Sequence, residues 1–163
     1  MLSVSQLSCR RGSKTLFAGV SFALAAGQAM HLEGDNGVGK TSLLRMVCGL
    51  SSAEAGEVRW GEHTIQQDPA AFHSALFYLG HALSLKEELT ALENLMADAA
   101  VAGRSLALSQ AMVALARMGL RGREHLPLRV MSQGQKRRTA LARLWVSQAP
   151  LWVLDEPFVA LDV

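Results

Sequence analysis

Gly34-Asp35-Asn36-Gly37-Val38-Gly39-Lys40-Thr41 fits the pattern G-x-x-x-x-G-K-[ST], a glycine-rich loop that cradles phosphate. Its glycines let backbone N–H groups turn inward and approach phosphate oxygens with no Cβ in the way. Ahead of the loop, Ala29-Met30-His31-Leu32 reads as a strand interrupted at His31. Behind it, Ser42 to Leu50 reads as a helix ending at a Gly-Leu-Ser-Ser turn. Strand, loop and helix in that order separate a phosphate site from a glycine-rich turn with a stray lysine. The helix N-terminus adds partial positive charge at the same point. The expected phosphate-binding residues are therefore Gly34, Asp35, Asn36, Gly37, Val38, Gly39, Lys40, Thr41 and Ser42. Lys40 is expected to reach the β- and γ-phosphates of ATP, and the Thr41 hydroxyl to ligate Mg²⁺.

Length and composition set the frame around this loop. The 163 residues suit one domain with a sizeable core. Half of them are apolar, yet no apolar run approaches the roughly 18 residues of a membrane span. The N-terminus lacks the basic-then-apolar layout of a signal peptide, which predicts a cytosolic protein. Cys9 and Cys48 have no Cys/His spacing around them and read as buried small hydrophobes. Net charge is +2, aromatics are few and no basic stripe runs through the chain, so nucleic-acid binding is not indicated.

Hydrophobic patterning places the remaining elements. Leu2, Val4 and Leu7 predict a half-buried strand broken at Arg10-Arg11-Gly12, and Val20, Phe22 and Leu24 predict a second. Gly56 to Gly61 with Thr64-Ile65 predicts a short antiparallel pair, and Ala75 to Leu79 a buried strand. Thr90-Ala91-Leu92-Glu93 is a capping box that opens a helix running towards Gly103. Ser105 to Met118 reads as an amphipathic helix closed by Gly119. Ser132-Gln133-Gly134-Gln135 is a second capping box, opening a helix to Gln148 with Pro150 beyond. Leu151 to Leu154 is a continuous apolar strand. The expected fold is an α/β P-loop NTPase core in a single domain, residues 1–163. It carries an antiparallel β subdomain and a helical insert at about 82–135.

Two further sites carry chemistry. Asp155 and Glu156 follow the apolar strand 151–154, where α/β sheets bind ligands at strand C-termini. Asp155 suits the Mg²⁺ that bridges phosphates, and Glu156 the general base on an attacking water; the plain alternative is an acidic turn capping a strand. Met131-Ser132-Gln133-Gly134-Gln135 is at least a polar helix cap, and such a helix start also suits a phosphate.

In order, the P-loop, Met131 to Gln135 with Arg138 and Leu141-Ala142-Arg143, Leu151 to Pro157, and Ala160-Leu161-Asp162 resemble an ABC-transporter ATPase domain. The resemblance implies that Ser132, Gly134 and Gln135 close on the γ-phosphate held by a second copy, in a head-to-tail homodimer. Ala160-Leu161-Asp162 then corresponds to the D-loop. A narrower resemblance covers nearly the whole chain, through Tyr78 to His81, Leu89 to Leu95, Ala140 to Trp145 and Ala149 to Trp152. These stretches are similar to the haem-exporter ATPase subunit of bacterial cytochrome c maturation. That family implies a peripheral ATPase on the cytoplasmic face of the inner membrane, working with integral membrane subunits. It also places His81 where most ABC domains carry the Q-loop glutamine, either positioning water or packing at a strand end.

Three departures qualify the match. Arg11 stands where many ABC domains stack an aromatic on adenine, and Gln133 replaces a small residue. The family continues past Val163 with a switch-histidine strand lying between the P-loop strand and the Asp155 strand, so the chain reads as C-terminally truncated, with two strand edges exposed. Trp60, Trp145 and Trp152 read as core or interface anchors, and His31, His63, His73 and His125 as structural or exposed. Lys136-Arg137-Arg138 reads as a solvated helix face. Two rivals stand beside the ATPase reading: a non-hydrolysing nucleotide- or partner-binding module, and a soluble ABC ATPase of translation or DNA repair.

Overall fold

The computed structural model describes residues 1–159, so Ala160-Leu161-Asp162 lies outside the described residues. The chain divides into two compact units, Met1–Leu76 and a second beginning at Phe77.

In the first unit, β1 (Leu2–Arg11) pairs antiparallel with β2 (Lys14–Leu24) on one side and β3 (Ala55–Trp60) on the other. β3 then pairs with β4 (His63–Thr64), giving the order β2-β1-β3-β4. The buried positions of β1 switch from Leu2 and Val4 to Leu7 and Cys9, because the register slips at Gln6, whose φ is +51°. One extra residue flips the alternation and returns Leu7 to the core face. Gly56 makes this bulge possible: a Cβ there would sit 2.4 Å from the Gln6 carbonyl. Helix α1 (Lys40–Val47) lies against β1 and buries Leu43, Met46 and Val47. Helix α2 (Pro69–Ser74) was not legible beforehand; Asp68 caps it by accepting from the Ala71 N–H at 3.0 Å. It buries Phe72, whose ring lies 6.3 Å from that of Trp60.

The segment Ala29–Leu32, expected as the P-loop strand, is not a strand. A strand exists through its ladder, and no described strand is paired with these residues. Ala29, Met30 and His31 are exposed, and His31 instead meets Glu33 at 3.1 Å.

In the second unit, β5 (Leu76–Leu79) is hydrogen-bonded to β6 (Leu151–Leu154). Helices α3 (Ala91–Val101), α4 (Leu108–Arg117) and α5 (Gln133–Val146) share one core, with Leu92, Leu95, Ala111, Leu115, Leu120, Leu128 and Ala142 inside. Both capping boxes form. The Glu93 N–H donates to Thr90 Oγ1 at 3.1 Å, and the Thr90 N–H to Glu93 Oε2 at 2.8 Å. α4 begins three residues later than Ser105, where Gln110 Oε1 accepts from the Ala107 N–H at 3.2 Å. α5 stops at Val146 instead of Gln148, because Ser147 turns extended (ψ 134°) and its hydroxyl accepts from the Ala149 N–H. Buried Asn94 fastens the loop before α3, accepting from the Lys86 N–H at 2.8 Å and donating to the Lys86 and Thr90 carbonyls at 3.0 and 2.9 Å.

Both cysteines, Cys9 and Cys48, are buried, as expected. Two tryptophans are not core residues: Trp145 is 55% exposed and Trp152 51% exposed. Trp145 lies beneath the Arg117 guanidinium at 4.4 Å, and Trp152 donates from its Nε1–H to the Ala149 carbonyl at 2.9 Å.

Candidate nucleotide site

The loop Gly34 to Gly39 leads directly into α1, and Gly39 is the N-cap with φ +107°. A Cβ at Gly39 would lie 3.1 Å from Phe17 Cδ1 and 3.2 Å from Leu16 Cβ, so both conformation and space demand glycine. No side chain caps this helix, which leaves its first amides to point at a ligand. Lys40 Nζ curls back over the loop and donates to the carbonyls of Gly34 at 2.5 Å and Asp35 at 3.0 Å. Asp35, Asn36, Gly37, Val38 and Thr41 are exposed, whereas Ser42 is buried under the helix start. The loop therefore brings a lysine cation and an uncapped helix start together.

In the second unit, Asp155 and Glu156 follow β6 directly. The Asp155 N–H donates to the Leu79 carbonyl at 2.8 Å, and Asp155 is 3% exposed. Its Oδ2 is buried with no hydrogen-bond partner among the described residues. An unpartnered buried carboxylate oxygen is costly unless something cationic joins it, and a carboxylate is a hard oxygen donor of the kind Mg²⁺ takes. Glu156 is exposed and left-handed, with φ +49°, uncommon for a residue with a Cβ.

Ser132 caps α5, accepting from the Gln135 N–H at 3.2 Å, and Gln135 Oε1 returns the bond to the Ser132 N–H at 3.0 Å. Ser132 and Gln133 are exposed, and Gly134 and Gln135 half-buried. His81 follows Gly80 at the end of β5 and is exposed. The second unit thus gathers Asp155, Glu156 and the α5 start around one residue that the sequence reading placed wrongly.

That residue is Arg137. Expected on a solvated face, it is 4% exposed and bonds to the carbonyls of Asp155, Glu156 and Pro157. The available signal was its helical phase, since Arg137, Ala140 and Leu141 share the buried face of α5. Its neighbour Lys136 meets Glu87 at 2.6 Å. Further along the same helix, Arg143 pairs with Asp98 of α3 and lies over the Phe77 ring at 5.3 Å.

Comparison with known proteins bears on the fold and the family. The ABC transporter family matches residues 17–159. The chain is 53% identical over its whole length to 80% of the cytochrome c biogenesis ATP-binding export protein CcmA of Dechloromonas aromatica. It is 47% identical to 77% of the protein of that name from Escherichia coli O157:H7. In structure it is similar to a putative ABC transporter ATP-binding protein from Pyrococcus furiosus, with TM-score 0.89 and 25% identity, covering 99% of this chain and 78% of that one. A dimeric post-hydrolysis state of the ATP-binding cassette MJ0796 bound to ADP and Pi shares the fold, with TM-score 0.85 and 21% identity over 99% of this chain and 76% of that one. The α/β P-loop core with its antiparallel sheet and helical insert is therefore the ABC ATPase fold. The chain belongs to the ABC transporter family and, within it, to the cytochrome c biogenesis ATP-binding export proteins.

Proposed function

We propose that this chain drives haem export or delivery for cytochrome c biogenesis, as the ATPase subunit of an inner-membrane complex. Family membership makes it an ATP-binding subunit whose hydrolysis is coupled to transport. The cargo and the complex rest on the relatives, which are named for cytochrome c biogenesis and export. The observation that carries the chemistry is the α1 N-terminus, reached through a left-handed glycine and capped by no side chain.

Each residue then takes one role. Backbone amides from Gly34 to Ser42 and the Lys40 ammonium bind the β- and γ-phosphates. Thr41 and Asp155 would hold Mg²⁺, which when bound supplies positive charge across the phosphate oxygens. Glu156 accepts the proton of the attacking water while His81 orients that water. In a homodimer, the α5 start with Ser132, Gly134 and Gln135 offers its N-terminal dipole to the γ-phosphate held by the second copy. Hydrolysis removes the charge that joins the two copies, and the dimer opens. No helix among the described residues is long and apolar enough to cross a membrane. We assign the chain to the cytoplasmic face, bound through integral membrane subunits.

Mg-ATP hydrolysis by the protein and by Glu156→Gln tests the enzyme reading. Loss of a general base predicts a fall of about 10²–10⁴-fold with nucleotide binding retained. Equal slow rates for both proteins would leave the non-hydrolysing nucleotide-binding module as the correct reading.

A further inference from the structure

Arg137 donates from Nε to the Pro157 carbonyl at 3.0 Å and from one terminal nitrogen to the carbonyls of Asp155, at 3.2 Å, and Glu156. One guanidinium thus meets three successive carbonyls of the turn that follows β6. It makes no ion pair among the described residues, and these carbonyls stand in for the water lost on burial. The turn it grips contains Glu156 at φ +49°. A left-handed residue with a Cβ persists only where its surroundings over-determine it. Among the described residues, Arg137 is the side chain seen bonded to the main chain of this turn. Arg137 itself lies one turn into α5, the helix whose first residues are Gln133, Gly134 and Gln135.

We infer that Arg137 is a positioning residue: it fixes the left-handed turn that sets the direction of Glu156 and ties that turn to the N-terminal end of α5. The inference rests on the reading of Glu156 as base. Because the same helix start faces the γ-phosphate of the second copy in that reading, a shift of α5 on one nucleotide reaches the carboxylate serving the other. The planar five-donor fork makes this link, and a lysine cannot reproduce it with a point charge. Burial pulls the Arg137 pKa down while the charges of Asp155 and Glu156 push it up, and the group stays a cation throughout the range in which the protein works.

The test is Arg137→Lys, with Arg137→Gln beside it, assayed under single turnover and at steady state. Both variants are expected to lower kcat at least tenfold while KM for ATP stays within about twofold, since phosphate binding belongs to the P-loop. In a Glu156→Gln background, Arg137→Lys is expected to add no further loss. Hydrogen exchange supplies a readout free of catalysis: the amides of Asp155, Glu156 and Phe158 should exchange at least tenfold faster in Arg137→Lys, with those of Ala91–Leu95 unchanged. A kcat equal to wild type, losses that add in the Glu156→Gln background, or unchanged exchange at the turn would overturn the inference. If wild type shows no Glu156-dependent hydrolysis, the enzyme reading falls instead, and the exchange result still decides whether Arg137 holds the turn.

Discussion

The glycine loop at 34–41 and the acidic turn at 155–157, the two regions proposed to act on phosphate, are held in opposite ways. In the loop the contacts are local: Lys40 reaches back 5 and 6 residues to the carbonyls of Asp35 and Gly34, and Gly39 itself caps the helix. In the turn the grip comes from Arg137, 18 to 20 residues earlier on another element. A local device can be spelled in a short sequence pattern. A long-range one appears only after the chain has packed. The loop should therefore fail in binding when altered, and the turn in stability and turnover.

Arg137→Met gives the largest expected loss of stability. It strips the donors from three carbonyls at a site where the guanidinium is buried, and the cost should be about 3 kcal/mol in denaturant unfolding. Asn94→Ala should follow at about 2 kcal/mol, since it leaves the Lys86 and Thr90 backbone groups without their partner in a buried site. Gly39→Ala should cost about 1–2 kcal/mol through its left-handed φ, yet weaken ATP binding at least tenfold, because the methyl pressing on Phe17 and Leu16 displaces the α1 N-terminus. If Gly39→Ala spared binding and Arg137→Met spared stability, the contrast between the two regions would be wrong. Thr90→Ala removes one capping bond and should cost about 1 kcal/mol.

The smallest expected effect is one of pH. Backbone N–H groups, its own first and then those of Gly122 and Arg123, hold the buried Glu124 carboxylate below its ordinary 4.5, against the opposing effect of burial. A depressed carboxylate contributes stability that is present above the unfolded value and lost as pH falls through the folded one. Thermal midpoints should therefore drop as pH falls below about 4.5, and less steeply in Glu124→Gln.

What could be read in the sequence follows the same division. The boxes Thr90/Glu93 and Ser132/Gln135 are i, i+3 signals and formed as expected. α2 escaped because it is six residues long, although Asp68-Pro69 is a cap followed by a proline at the first helical position. Ala29–Leu32 has strand composition without a described ladder partner, and composition cannot supply one. The exposure of Trp145 and Trp152 and the burial of Arg137 depend on which helix face meets the core. In the candidate site, residues 34–42 were legible as a pattern, whereas the carbonyl cradle around Arg137 was not.

Thermal unfolding of the protein with and without Mg-ATP, in wild type and Lys40→Ala, tests the central claim most directly. Ligand that binds only the native state stabilises it by about 2.7 kcal/mol at a hundredfold excess over Kd. The account predicts a cooperative transition whose midpoint rises with Mg-ATP in wild type and stays fixed in Lys40→Ala. A wild-type midpoint indifferent to Mg-ATP, or one raised equally in both proteins, would contradict it.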